Sequence, residues 1–305
     1  MKETPAYKII ITYAILCFVW GSTWLAIKMS LESFPPFLSA GIRFFIASFT
    51  IIILIRLRGT ELLTDRDSMR LYFMMGFFSF VIPFGLVYWA EQYVDSGLAS
   101  VLFGVYPFFV AIFSYFMIPN EEIGLVRIVG MILGFVGITI IFKDSFSLKI
   151  TDYILGMFAI VLSAMMQAFM AVTIKKHGKH LNPLSMNLVP MMIAGIVMLS
   201  VGLLFEGFGR IKITETGVLS VLYLAVIGSV VTFTSFYWLL KKVSVIIMSL
   251  IAFITPVVAI FLGWVLYGEV LSDNHMVGTT FVLIGVLIAN LPSDKFDKIK
   301  KMAIK

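Results

Sequence analysis

Apolar runs of close to twenty residues alternate along this chain with short polar joints, and that pattern predicts transmembrane helices. A helix needs about 20 mostly apolar residues to cross about 30 Å of hydrocarbon. Ten such runs can be marked, at 9–28, 36–55, 71–90, 97–118, 125–142, 153–174, 184–205, 217–240, 244–267 and 275–292. Their continuous apolarity argues against a barrel, whose strands alternate inside and outside over about ten residues. The joints, such as Arg56 to Arg70 and Lys175 to Pro183, leave no room for a soluble domain. The expected fold is an all-α membrane protein of ten transmembrane helices.

The basic residues orient the spans. With a cytoplasmic N-terminus, 17 of the 23 Lys and Arg residues fall on inside segments and 5 on outside joints, while Arg43 lies within the second span. Such a bias places both termini in the cytoplasm. It also accounts for the net charge of +6 without an acidic partner, so no nucleic-acid binding is expected.

Composition agrees: of 305 residues, 60% are hydrophobic and 13% charged. A soluble domain is nearer half apolar and a quarter charged. Cys17 is the single cysteine, which excludes an intrachain disulfide and a cysteine metal cluster. The first run is too long for a signal-peptide core and no small-residue cleavage pattern follows it.

Sliding the chain on itself reveals a repeat. At an offset of 147, Ile27-Lys28 meets Ile174-Lys175 and Pro36 meets Pro183. At 149, Phe84 meets Phe233, Tyr88-Trp89 meets Tyr237-Trp238, and Pro107 meets Pro256. At 148, Glu121 meets Glu269, Gly130 meets Gly278, and Gly137 meets Gly285. The chain thus divides into a first five-helix unit at 1–145, a second at 152–293 and a basic cytoplasmic tail at 294–305. Because five is odd, the second copy enters the bilayer upside down. Inverted repeats enclosing a midplane site characterise secondary transporters, since two near-mirror halves can exchange inward-open and outward-open states of similar energy.

Trp20-Gly21-Ser22-Thr23, Arg43-Phe44-Phe45-Ile46-Ala47, Pro107, and Glu121 followed by Gly130 and Gly137 resemble the EamA-type repeat. Pro256, Glu269, Gly278 and Gly285 supply the second copy. The whole is similar to the ten-span branch of the drug/metabolite transporter superfamily. That resemblance implies exporters or exchangers of amino acids, drugs, nucleotide-sugars and other small metabolites, with a cavity between the repeats. The copies differ where Gln167-Ala168 stands opposite Trp20-Gly21 and where Pro190 stands opposite Arg43.

Polar groups at membrane depth are costly and need a partner or a use. Arg43 is either a fixed positive charge for an anionic or zwitterionic substrate or a buried anchor. Gln167 shares a helix face with Ser163 one turn earlier, and serves either a ligand or a neighbouring helix. Trp20, Ser22, Tyr88, Tyr106 and Tyr237 complete the expected substrate-binding set. Pro107 and Pro256 each remove a backbone hydrogen bond in mid-span and are expected to kink their helices, as gates or as simple shape. Gly130 and Gly134, like Gly278 and Gly285, form small-residue packing faces.

No phosphate-binding loop and no mid-span carboxylate is present, which favours facilitated diffusion or exchange over ATP or an obvious proton relay. Glu91 and Glu269 are the carboxylates left for proton coupling. Neither a cofactor nor a metal is expected, and the carboxylate clusters of an intramembrane enzyme are missing. The expected activity is export or exchange of small amphipathic metabolites by alternating access, from a cell-membrane monomer or homodimer whose partners are the substrate and the bilayer. Flipping of a lipid-linked substrate is the alternative.

Overall fold

The computed structural model describes residues 5–119, 124–147, 151–249 and 251–289. Within them the chain forms ten helices in the expected order. These are α1 (Ala6–Ser30), α2 (Pro36–Arg58), α3 (Arg66–Ala90), α4 (Ser96–Met117) and α5 (Leu125–Ser147), followed by α6 (Thr151–His177), α7 (Ser185–Glu206), α8 (Glu215–Lys242), α9 (Val245–Ser249 and Ile251–Tyr267) and α10 (Asp273–Ala289). Eight of them, all but α5 and α10, are long and apolar enough throughout to span a bilayer. The apolar stretch described in α5 is Ile128–Ile141, and α10 has 17 residues. The expected span at 275–292 runs beyond the last described residue. The basic tail and Glu121 also lie outside the described residues.

Three spans depart from a plain α-helix. Gly76–Val81 in α3, Gly202–Glu206 in α7 and Val226–Val231 in α8 are π-helical. A π-turn adds a residue to the turn and re-aims the side chains after it. In α4 the helix stops at Phe103 and restarts at Tyr106, with Pro107 in the first turn of the second piece. Pro107 therefore sits at a break in the helix, where its missing N–H costs nothing. Pro256, by contrast, lies inside the helical run Ile251–Tyr267.

The helix ends show how the chain threads. Where α1 ends, Ser33 bonds the Thr214 hydroxyl at 2.7 Å, just before α8 begins. At this same end Glu206, closing α7, accepts from the N–H groups of Phe37 and Leu38 at 3.0 Å each and caps α2. Glu269, following α9, accepts from Ser96 N and Gly97 N, both at 3.0 Å, and from the Ser96 hydroxyl at 2.8 Å, capping α4. We call this the far end. At the near end, His180 after α6 meets Ser68 at the start of α3, and Tyr13 in α1 donates to Ile247 O in α9. Lys28 at the end of α1 donates to Val94 O at 3.3 Å, and its repeat counterpart Lys175 donates to Val243 O at 2.7 Å at the opposite end of the bundle.

Carboxylate caps inside low-dielectric surroundings are strong, so Glu269→Ala is expected to cost about 2 kcal/mol by stranding two buried N–H groups. The check is the unfolding midpoint in detergent; an unchanged midpoint contradicts the capping role.

Packing pairs the helices across the two units. α5 lies along α10, α2 along α7, α1 along α9 and α4 along α6. Small residues permit the closest approaches. A β-carbon placed on Gly41 of α2 meets Leu199 N of α7 at 2.6 Å, and one on Gly195 of α7 meets Phe45 N of α2 at 2.8 Å. The glycine faces of α5 and α10 meet each other: Gly285 lies against Gly130 and Gly134, and Gly278 against Gly137.

Candidate functional site

A cavity with about 900 Å³ of empty space opens between the two units, walled by α1, α2, α3, α4, α6, α8 and α9. Its mostly apolar, aromatic wall with a few polar groups is that of a small-molecule site. Five of the eight residues expected to bind substrate line it: Trp20, Arg43, Tyr106, Gln167 and Tyr237. The other three lie behind or away from it. Tyr88 is fully buried and holds Arg43. Ser163 is buried and accepts from Gln167 Nε2 at 3.3 Å. Ser22 departs from the expectation, because its hydroxyl turns to Val19 O at 2.8 Å and to the Tyr223 hydroxyl of α8 at 2.6 Å.

Among the described residues Arg43 is the largest fully buried side chain, 1% exposed. Its Nε donates to Ser229 Oγ at 2.9 Å, one terminal nitrogen to the Tyr88 hydroxyl at 3.3 Å, and the other to Gly228 O at 3.2 Å. The guanidinium carbon lies 4.9 Å from the Phe84 ring centroid and 5.1 Å from that of Phe44. All of these partners are neutral, and no ion pair to Arg43 occurs among the described residues. A guanidinium has five N–H donors, so a cation with donors to spare borders the cavity. Sequence reasoning left ligand and anchor as alternatives; the side chain is anchored on α8 and also lines the space.

The π-turn of α8 makes that anchorage possible. Ser229 Oγ donates to Leu224 O, five residues back, at 2.8 Å, and accepts from Arg43 with a lone pair. Gly228 O takes both Arg43 and the Thr232 hydroxyl, the latter at 2.7 Å. Glycine is needed at 228 because a β-carbon there meets Thr23 Cγ2 at 2.9 Å. Ser79, in the π-turn of α3, occupies the matching place in the first unit and lines the cavity. These serines escaped sequence reasoning because a serine within an apolar run carries no mark of a π-turn. The offset of 150 between Ser79 and Ser229 was the available signal.

Aromatic rings close the rest of the wall. Trp20 packs against Phe233 at 5.4 Å and Phe236 at 5.2 Å between centroids, and Trp24 against Phe103 at 5.5 Å. Phe103 stacks on Tyr106 at 5.7 Å. Pro256 acts on this wall through the backbone: it has no N–H, so the Ala252 carbonyl four residues earlier lacks its helical donor. Phe103 and Ala252 both line the cavity. The space thus combines a cation, a primary amide, two phenols and one carbonyl without its helical donor.

Comparison with known proteins agrees with this arrangement. Protein PagO of Salmonella typhimurium is 28% identical over 289 residues, covering 93% of this chain and 95% of its own. The uncharacterized transporter YoaV of Bacillus subtilis is 25% identical over 281 residues, covering 92% and 96%. The uncharacterized inner membrane transporter YedA of Escherichia coli K12 is 29% identical over 281 residues, covering 90% and 88%. A crystal structure 17% identical in sequence matches with a TM-score of 0.70, covering 93% of this chain and 98% of that one, so the fold is shared. The EamA-like transporter pattern matches twice, at residues 7–143 and 154–291, one match for each set of helices that walls the cavity. With both halves accounted for, this multi-pass membrane protein belongs to the EamA-like transporter family.

Proposed function

We propose that the chain is a secondary transporter that exports or exchanges small amphipathic metabolites bearing a carboxylate, amino acids among them, by alternating access. The observation that carries this reading is Arg43: a buried cation without an acidic partner among the described residues, at the wall of an aromatic cavity. A substrate carboxylate supplies the missing charge, while Gln167 and the carbonyl of Ala252 suit an ammonium group. The opposite threading of α1 and α6 supports two inverted five-helix repeats, at 1–145 and 152–293, related about the cavity. Pro107 and Pro256 then lie at equivalent points of the two halves and serve as the bending points of the cycle. The charge bias places both termini in the cytoplasm, which makes the far end the outer one.

The test is counterflow in liposomes containing the purified protein, over a panel of radiolabelled amino acids and related carboxylates. Trp20→Ala and Gln167→Ala are each expected to lower flux of the best substrate about tenfold, the effect of about 1.4 kcal/mol of lost binding. If both leave it unchanged, the cavity is not the transport site. Scrambling of a fluorescent phospholipid without amino-acid counterflow favours a lipid substrate instead.

A further inference from the structure

One buried ionisable group is left unexplained by substrate binding. Glu91 follows directly on α3 and is 0% exposed. Neither carboxyl oxygen has a hydrogen-bond partner. The capping carboxylates behave differently: Glu206 and Glu269 each hold backbone N–H groups, and Asp65 accepts from Ser68 N at 3.0 Å. A buried carboxyl with no partner costs free energy and returns no structural gain. Glutamine or leucine fills the same volume at lower cost, so the acid calls for a use.

Its surroundings suggest one. Val87, one turn earlier on α3, and Ile27, next to Lys28 on α1, both line the cavity, so Glu91 and Lys28 stand just past its far-end rim. Lys28 Nζ is held by Val94 O at 3.3 Å and by Asp95 at 3.8 Å, the latter at 47% side-chain exposure and open to water. Arg43 of α2 reaches toward the same region through Tyr88, three residues before Glu91. Glu269, from the α9–α10 connection, approaches from beside α4, and His275 of α10 acts on Asp95. α6 presents Gly156 against Ala90 and Val94, while its Asp152 is exposed at the helix start. Burial pushes the Glu91 carboxyl well above the usual range, Lys28 and Arg43 pull it down, and Glu269 pushes it up.

On the transporter reading above, we propose that Glu91 is the proton-binding site that couples this carrier to a proton gradient, with Lys28 as its exchange partner. In the arrangement seen here Glu91 holds a proton and Lys28 pairs with Asp95. When the far-end rim rearranges, Lys28 leaves Val94 and Asp95 for Glu91. The Glu91 proton passes to water and the carboxylate pairs with the ammonium. Charge balances, because one ion pair replaces another and one proton departs.

The proton site can be read without knowing the substrate. Dicyclohexylcarbodiimide adds to protonated carboxyls in apolar surroundings, and adducts on the full-length protein in liposomes can be mapped by mass spectrometry. The expected result is a Glu91 adduct at about pH 7, far above the value of about 4.3 for an ordinary glutamate. The adduct fades as pH rises, and in Lys28→Ala the fading moves to higher pH because the ammonium that favours the carboxylate is gone. Absence of the adduct at pH 7, or an unmoved profile in Lys28→Ala, overturns the proposal.

Coupling is read with phenylalanine as the probe. With one proton per substrate, a gradient of about one pH unit of the productive sign drives about tenfold accumulation over equal pH. In Glu91→Gln, shown to elute as a single species, that ratio falls to about one. A wild-type ratio of one despite counterflow, or a Glu91→Gln ratio of ten, refutes coupling through Glu91. Loss of all phenylalanine counterflow in the wild type counts against the amino-acid reading alone, and the adduct still decides the proton site.

Discussion

Arg43→Gln is expected to reduce counterflow of a carboxylate-bearing substrate by about 10- to 150-fold, the range for losing a charged hydrogen bond of about 1.5–3 kcal/mol. Glutamine retains an amide that can reach one of the three partners Ser229, Gly228 and Tyr88, but it carries no charge and cannot span all three. Arg43→Lys is expected to fail nearly as badly. A lysine ammonium is a point charge without the planar fork that bridges α2 to α8 while keeping donors toward the cavity. The distinguishing control is Ser229→Ala, which removes one anchor and keeps the cation. Stability in that variant is expected to drop by about 1 kcal/mol, with substrate still carried. If Arg43→Gln transports normally and only melts earlier, Arg43 is an anchor and the carboxylate preference falls with it.

The largest expected structural effect lies where α5 meets α10. A β-carbon on Gly285 sits 2.5 Å from Gly134 N and 2.6 Å from Gly130 O, both backbone atoms with no side chain to swing aside. Gly285→Leu must therefore separate the two helices, and overpacking of this kind costs about 3 kcal/mol or more. The protein is expected to lose its single, symmetric elution peak in mild detergent. Gly209→Ala is the matched control, since a β-carbon there meets nothing within 4 Å and the peak is expected to persist. A well-behaved Gly285→Leu protein contradicts the close seam between α5 and α10.

The helices and their order were legible in the chain, because a backbone in hydrocarbon must satisfy its own hydrogen bonds and a twenty-residue apolar run leaves few other choices. The glycine faces of α5 and α10 were visible as spacings, though nothing in the spacing said that they face each other. Candidate residues read from rare chemistry come together in the fold. Arg43, Gln167 and Trp20 stand out in an apolar alphabet, and all three reach the cavity. Ser22 stood beside Trp20 and fell outside because a helix turns about 100° per residue, which carries its hydroxyl toward Tyr223. Pro107 was expected to bend a helix and instead begins one, after a break whose position depends on how α4 meets its neighbours.

That this protein lives in a bilayer, that it is helical and that its halves are alike all follow from local hydrophobicity and self-similarity along the chain. Which polar groups converge depended on how the helices pack. Arg43 finds Ser229 across an interval of 186 residues, through a π-turn that no local preference announces. Glu91 is left without a partner because of where Lys28 and Glu269 come to rest. Hydropathy sets depth in the membrane, but azimuth around each helix is set by packing against the others, and a binding site is an agreement of azimuths.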